Sequence, residues 1–213
     1  MMRKRNRGAS CGFTLVELLV AITIMAIVAV LGWRGLDSII RARVALNDEL
    51  TSTRGLQLAF AQMQSDCDKI ANADDIGGLV PLEVQPGRLT LVRSVFVENQ
   101  PSRVQVIAYR VTTGELTRRE SVATRDLTEL NAAWTAALAE ADMTQPVVLH
   151  NGVSEMAIRT WNSNGGGWLA AGAEIAPQQP GTRAQRMPTG LEVTLQLRER
   201  TGSLVKIFLL GAV

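Results

Sequence analysis

Histidine is almost absent from this 213-residue chain, and His150 stands alone. Metal centres and hydrolytic triads draw on imidazole, and no second histidine is available to build one. His150 ends a short apolar run beside Asn151-Gly152, which reads as a surface or packing position. Cysteine is nearly as scarce, with only Cys11 and Cys67. Aromatic residues make up 4% of the chain, too few for a platform that stacks single-stranded nucleic acid. The glycine run Gly165-Gly166-Gly167 leads into Trp168 rather than into a helix bearing lysine, so it forms no phosphate loop. Carboxylates are plentiful, but nothing marks two of them as an acid–base pair. The chain therefore reads as a non-enzyme, with no cofactor, no bound metal, no small-molecule substrate and no nucleic-acid partner.

One long apolar run is present. It extends from Phe13 to Trp33 and is broken only by Thr14, Glu17 and Thr23. At a helical rise of about 1.5 Å per residue it spans roughly 30 Å, enough to cross the hydrocarbon core of a bilayer. Arg3, Lys4, Arg5 and Arg7 precede it, with no acid among them. Such a basic end stays in the cytoplasm, and the rest of the chain crosses outward. A conventional secretory signal has a shorter apolar region, followed by its cleavage site. Here the run is longer, and Gly12 lies before it. Glu17 sits inside the run, where a charge costs about 2.5–3.5 kcal/mol on insertion scales, so it is a functional candidate.

The remainder has the length of one ordinary domain on a helical stem. The reading divides the chain into a leader (1–12), a membrane span (13–33), an amphipathic stem (34–72) and a β-rich domain (73–213). If the leader leaves, Cys11 leaves with it, and Cys67 has no partner for an intramolecular disulfide. Cys67 then reads as a small buried apolar residue on a helix face. Helical spacing continues past the span through Leu36, Ile40, Leu46, Leu50, Leu56, Phe60, Met63, Cys67 and Ile70 to about Ala71. That stripe is expected to pack on the chain's own sheet. Gly32, Gly35 and Gly55 are soft spots in the helix. Asp66, Asp68, Asp74 and Asp75 could suggest calcium, but their spacing fits no EF-hand loop, and they read as a solvated helix end.

Beyond residue 78 the apolar period shortens to that of strands. Residues 88–97 form one expected strand. Residues 104–112 and 115–123 form a hairpin around Thr113-Gly114. Arg110, Arg118 and Arg119 are expected on its solvated face. Residues 126–141 read as a helix with Asp126 at its N-cap. Short strands follow at 146–149 and 153–161, then a glycine-rich loop at 162–168 between two tryptophans. The segment 177–188, with three prolines, reads as a surface excursion. Alternation over 191–198, a turn at Thr201-Gly202 and the apolar return 204–210 make a last hairpin, whose second strand reads as central or covered. The fold class is α+β.

Gly12 followed by Phe13-Thr14-Leu15-Val16-Glu17, with a basic leader and an apolar run on either side, resembles the processing site of type IV prepilins and type II secretion pseudopilins. The resemblance implies that a prepilin peptidase cuts between Gly12 and Phe13 and methylates the new amino terminus of Phe13. It implies that Glu17 pairs during assembly with the terminal amine of a neighbouring subunit. Trp33-Arg34-Gly35-Leu36-Asp37-Ser38-Ile39-Ile40-Arg41-Ala42-Arg43 is similar to the stem of the J-class minor pseudopilins of type II secretion. So are Leu56-Gln57-Leu58-Ala59-Phe60-Ala61-Gln62-Met63, Leu191-Glu192-Val193-Thr194-Leu195 and Ile207-Phe208-Leu209-Leu210. Segments 125–145 and 177–188 have no counterpart in that pattern. The implied fold is pilin-like, a long N-terminal helix laid on antiparallel sheets. The implied location is the inner membrane, with the C-terminal domain in the periplasm. The implied partners are the I- and K-class minor pseudopilins, often the H class, and the major pseudopilin. Together they form a tip complex that starts a pseudopilus and supports export of folded proteins across the outer membrane. The alternatives are a minor pilin of a type IV pilus or competence system, or a single-pass periplasmic binding or sensory protein whose leader resembles a prepilin by chance.

Overall fold

The computed structural model describes residues 12–141, 144–162, 167–172, 187–198 and 202–210. The basic leader with Cys11, the centre of the 162–168 loop, most of the proline segment and Thr201 lie outside the described residues. The chain divides into two compact units, Met1–Thr51 and Ser52–Val213.

Helix α1 (Leu15–Cys67) begins in the first unit and ends in the second. Its 53 residues are somewhat fewer than the sequence pattern suggests, because the chain leaves helical geometry at Asp68. In the first unit the apolar side chains from Leu15 to Leu31 are exposed on all sides, as a lipid-facing helix requires. Within the second unit the expected packing of the stem stripe on the sheet holds for its last part, Leu56, Met63 and Cys67. In the first unit Leu36, Ile40, Leu46 and Leu50 are exposed.

In the second unit a short 3-10 turn (Ala73–Ile76) follows α1, ended by Gly77 in the left-handed region. Five strands then form one antiparallel sheet in chain order: β1 (Leu82–Gln85), β2 (Arg88–Val95), β3 (Arg103–Thr112), β4 (Glu115–Glu120) and β5 (Val147–Asn151). Helix α2 (Leu127–Leu138) separates β4 from β5. The Thr113-Gly114 turn has φ of +54° and +91°, the primed geometry that matches strand twist in a two-residue hairpin. The second sheet has the order β7-β6-β8-β9, from β6 (Val153–Asn162), β7 (Gly167–Ala170), β8 (Gly190–Leu197) and β9 (Ser203–Leu209). Strand β9 is therefore an edge, not the covered strand its apolar run suggests. Val205, Ile207 and Leu209 are exposed, and Phe208 points inward.

Leu56, Ala59, Met63 and Cys67 of α1 enter the main core, which also takes side chains from β1–β4, β6, β8 and β9. A smaller core lies under α2 and joins Leu130, Trp134 and Ala137 to Val92 and Val106. Strand β3 is therefore buried on both faces. Ile107 and Tyr109 belong to the main core, and Val106 to the core under α2. This overturns the solvated arginine face. Arg110 is buried, and its Nη2 donates to the Ala137 carbonyl at 2.5 Å, near the C-terminus of α2 where a cation is favoured. Arg118 is buried on the opposite face, and Arg119, opposite Ala108 in register, is only partly exposed.

Candidate functional site

Three of the expected site residues meet at the start of α1. Gly12, Phe13 and Thr14 have no helical structure, and Phe13 is 80% exposed. The helix opens at Leu15, so Thr14 is its N-cap and Glu17 its third residue. The Glu17 backbone N–H donates to Thr14 Oγ1 at 3.3 Å. In return Glu17 Oε2 accepts from the Thr14 backbone N–H at 3.4 Å and from its hydroxyl at 3.2 Å. This is a capping box, in which two donors that a helix start leaves unpaired are satisfied reciprocally. Thr14 was not among the expected site residues. The spacing Thr-x-x-Glu just ahead of an apolar run was the available signal. Both return contacts use Oε2.

Asp66 is the second centre, and it corrects the reading of a solvated helix end. Its side chain is fully buried. Oδ2 accepts from the Tyr109 hydroxyl at 2.6 Å and from Arg118 Nε at 2.8 Å. Oδ1 accepts from Arg93 Nη1 at 2.6 Å, Gln62 Nε2 at 3.2 Å and Arg118 Nη2 at 3.3 Å. Arg93, Tyr109 and Arg118 stand on β2, β3 and β4, so one helical carboxylate ties the end of α1 to three neighbouring strands. Arg118 also donates to Glu120 at 2.7 Å. Burial and the adjacent Asp66 charge push the Tyr109 hydroxyl upward from its ordinary value. Burial alone would lower Arg118, but its hydrogen bonds to Asp66 and Glu120 outweigh that, and the net shift is upward. Asp68, Asp74 and Asp75 are exposed and do not join this cluster.

His150 packs against α1. Its Nε2 lies 3.1 Å from both the carbonyl and the hydroxyl oxygen of Ser52. Gly55 makes room for the ring, since a Cβ there would sit 3.2 Å from His150 Cδ2. Cys67 is buried as expected on its helix face, and burial beside Asp66 and Asp68 pushes its thiol up to about 12. Among the described residues no group of three or more histidine, cysteine or acidic side chains could hold a metal ion. A cleft of about 190 Å³ between α2, β3 and β4 is walled by Val106, Ala108, Ala133, Ala136 and Ala137, with Arg119 and Glu120 also lining it.

A lipid-length apolar helix with a capped start, continuing into a domain of antiparallel sheets, defines a class: membrane-anchored, pilin-like structural subunits. A family model for the prokaryotic N-terminal methylation motif matches residues 7–33. The model described as "Type II secretion system (T2SS), protein J" matches residues 34–210, more than four fifths of the chain. The chain belongs to that family, and it is a minor pseudopilin of type II secretion. It is 29% identical over 212 residues to a protein of Klebsiella pneumoniae named type II secretion system protein J, covering 94% of this chain and 95% of that one. The pilus and competence alternative is not favoured by these matches. As a pseudopilin the chain assembles with other pseudopilins, is handled by a prepilin peptidase and is anchored at the inner membrane by its apolar helix.

Proposed function

We propose that this chain is a subunit of the pseudopilus tip complex, with the I- and K-class minor pseudopilins as its direct partners and the H-class and major pseudopilins beyond them. The observation that carries this reading is the continuity of the two matches: the methylation motif runs to residue 33, and the J-subunit match begins at 34. The complex starts pseudopilus assembly and so supports passage of folded proteins across the outer membrane. The peptidase cuts between Gly12 and Phe13 and methylates the Phe13 amine. The N-terminus faces the cytoplasm, and the domain from residue 73 onward lies in the periplasm.

Glu17 is the assembly residue in this proposal. A carboxylate in hydrocarbon is costly when alone, and the capping box offsets only part of that cost. The protonated N-methylated amine of a neighbour's Phe13 supplies the opposite charge to the Glu17 carboxylate, which favours the assembled over the dispersed state. The test is Glu17→Ala in a strain carrying the cognate secretion system. Mass spectrometry should find the mature N-terminus intact, while recovery of the variant with the other minor pseudopilins falls at least tenfold. Wild-type recovery and wild-type secretion in that variant would remove Glu17 from assembly. Failure of the unmodified chain to co-purify with I- and K-class subunits would remove the tip-complex reading itself.

A further inference from the structure

The outward face of the second sheet carries an apolar band that no other described residue of its unit covers. On β9, Val205, Ile207 and Leu209 are 55%, 51% and 65% exposed. The strand register continues the band across the sheet. Leu209 lies opposite Gly190, Gly190 opposite Trp161, and Trp161 opposite Trp168. The two indoles pack edge to face with centroids 5.5 Å apart. The Arg159 guanidinium lies 5.7 Å from the Trp168 ring centre and also pairs with Glu192 at 2.5 Å. Trp161 and Trp168 are thus held in place before any partner arrives.

Three features narrow what covers the band. The first is area. Its exposed side chains present roughly 400 Å², near the size of the largest apolar patch that an ordinary monomer shows. That is about half of the ~800 Å² that each partner buries in a standard protein interface, and it matches the apolar centre of one. The second is charge. Arg159 and Glu192 neutralise each other within the face, and the other described charge on it is the exposed acid Glu155, so an acidic segment or an anionic lipid headgroup finds no spare cation there among the described residues. The third is Lys206, which alternates with Ile207 and points to the sheet's other face. An inward-pointing charge on an edge strand discourages addition of another strand. The partner must pack onto the face instead.

We propose that this band is the docking surface for the globular domain of another pseudopilin, which lays neutral apolar side chains over Trp161, Leu209, Ile207 and Val205. The proposal rests on the assembly reading above and adds to it the face that is used. The test keeps the full chain in cells with their own secretion system. Ile207→Glu and Val205→Glu should each lower recovery of the other pseudopilins at least tenfold, with the thermal midpoint unchanged within about 2 °C. Lys206→Glu, one residue away but on the other face, should leave recovery unchanged. A photo-crosslinking residue at position 207 should capture a pseudopilin. Recovery within twofold for both glutamate variants, or crosslinks from 207 that reach no pseudopilin, overturns the proposal. If a glutamate variant fails to fold, the crosslink decides. Loss of recovery in the unmodified chain would instead refute the assembly reading, and this one with it.

Discussion

Removing the Asp66 carboxylate should strongly destabilise the second unit. Asp66→Ala leaves the Arg118 guanidinium buried with Glu120 as its remaining acidic partner, and Glu120 is half exposed. It also strands the Tyr109 hydroxyl in the core. Breaking a buried ion pair from one side costs about 3–5 kcal/mol. The surviving Glu120 contact places this case near the lower end, about 3 kcal/mol. With a urea slope of about 2 kcal/mol per M, the unfolding midpoint of the soluble fragment Asp37–Val213 should fall by about 1.5 M. Tyr109→Phe removes one hydrogen bond to a charged group, worth about 1.5–3 kcal/mol in the normal background. In the Asp66→Ala background the same change should cost almost nothing, because the hydroxyl has already lost its acceptor. A double-mutant cycle in urea, followed by circular dichroism, reads both quantities. A midpoint drop below about 0.5 M for Asp66→Ala, or an equal Tyr109→Phe cost in both backgrounds, would refute the reasoning.

Other outcomes follow from single contacts. Cys67 should resist a disulfide reagent in the folded fragment at pH 8.5 and react stoichiometrically once urea unfolds it, since burial holds the thiol near 12. Gly55→Ala should fail to give the gain of about 1 kcal/mol usual for glycine replacement in a helix. The added methyl meets the His150 ring, and Gly55→Ala combined with His150→Ala should recover that gain relative to His150→Ala alone. Asp126 accepts from the backbone N–H groups of Thr128 and Glu129, which holds its carboxyl below the ordinary range. Its stabilisation of α2 is present above the unfolded value of about 3.9 and is lost as pH falls through the lower folded value. The acid limb of the stability curve should therefore flatten in Asp126→Ala.

The elements most legible in the sequence are those whose periodicity is long or strict. The apolar run and the helical stripe identify α1, and alternation locates β2, β3, β6 and β8. Asp126 signals its own cap. Strands β1 and β7, with four residues each, are too short for alternation to stand out. Alternation also says which residues share a face but not what covers that face. Arg118 and Arg119 point to opposite sides of β4, and α1 and α2 claim one side each. An exposed arginine in the pattern thus became the buried partner of Asp66. The same limit hid β9. A nearly continuous apolar strand suggests cover on both faces, and the sheet order leaves it at an edge. At the helix start the capping role of Thr14 was not legible, because it depends on where the helix begins.

That boundary sets a geometric allowance for proteolysis. A peptidase holds its target bond in open backbone, and a bond inside a helix must first be unwound against the cooperativity of the turns around it. The Thr14–Glu17 box starts the helix at Leu15 and so leaves Gly12 and Phe13 as open chain just upstream of fifty-three continuous helical residues. On the cleavage proposed above, between Gly12 and Phe13, the peptidase meets its bond in open chain, with no turn to melt. Moving the cap a few residues toward the leader would draw the Gly12–Phe13 bond into the helix and close it kinetically to that proposed cut, with no change to the residues on either side of the bond.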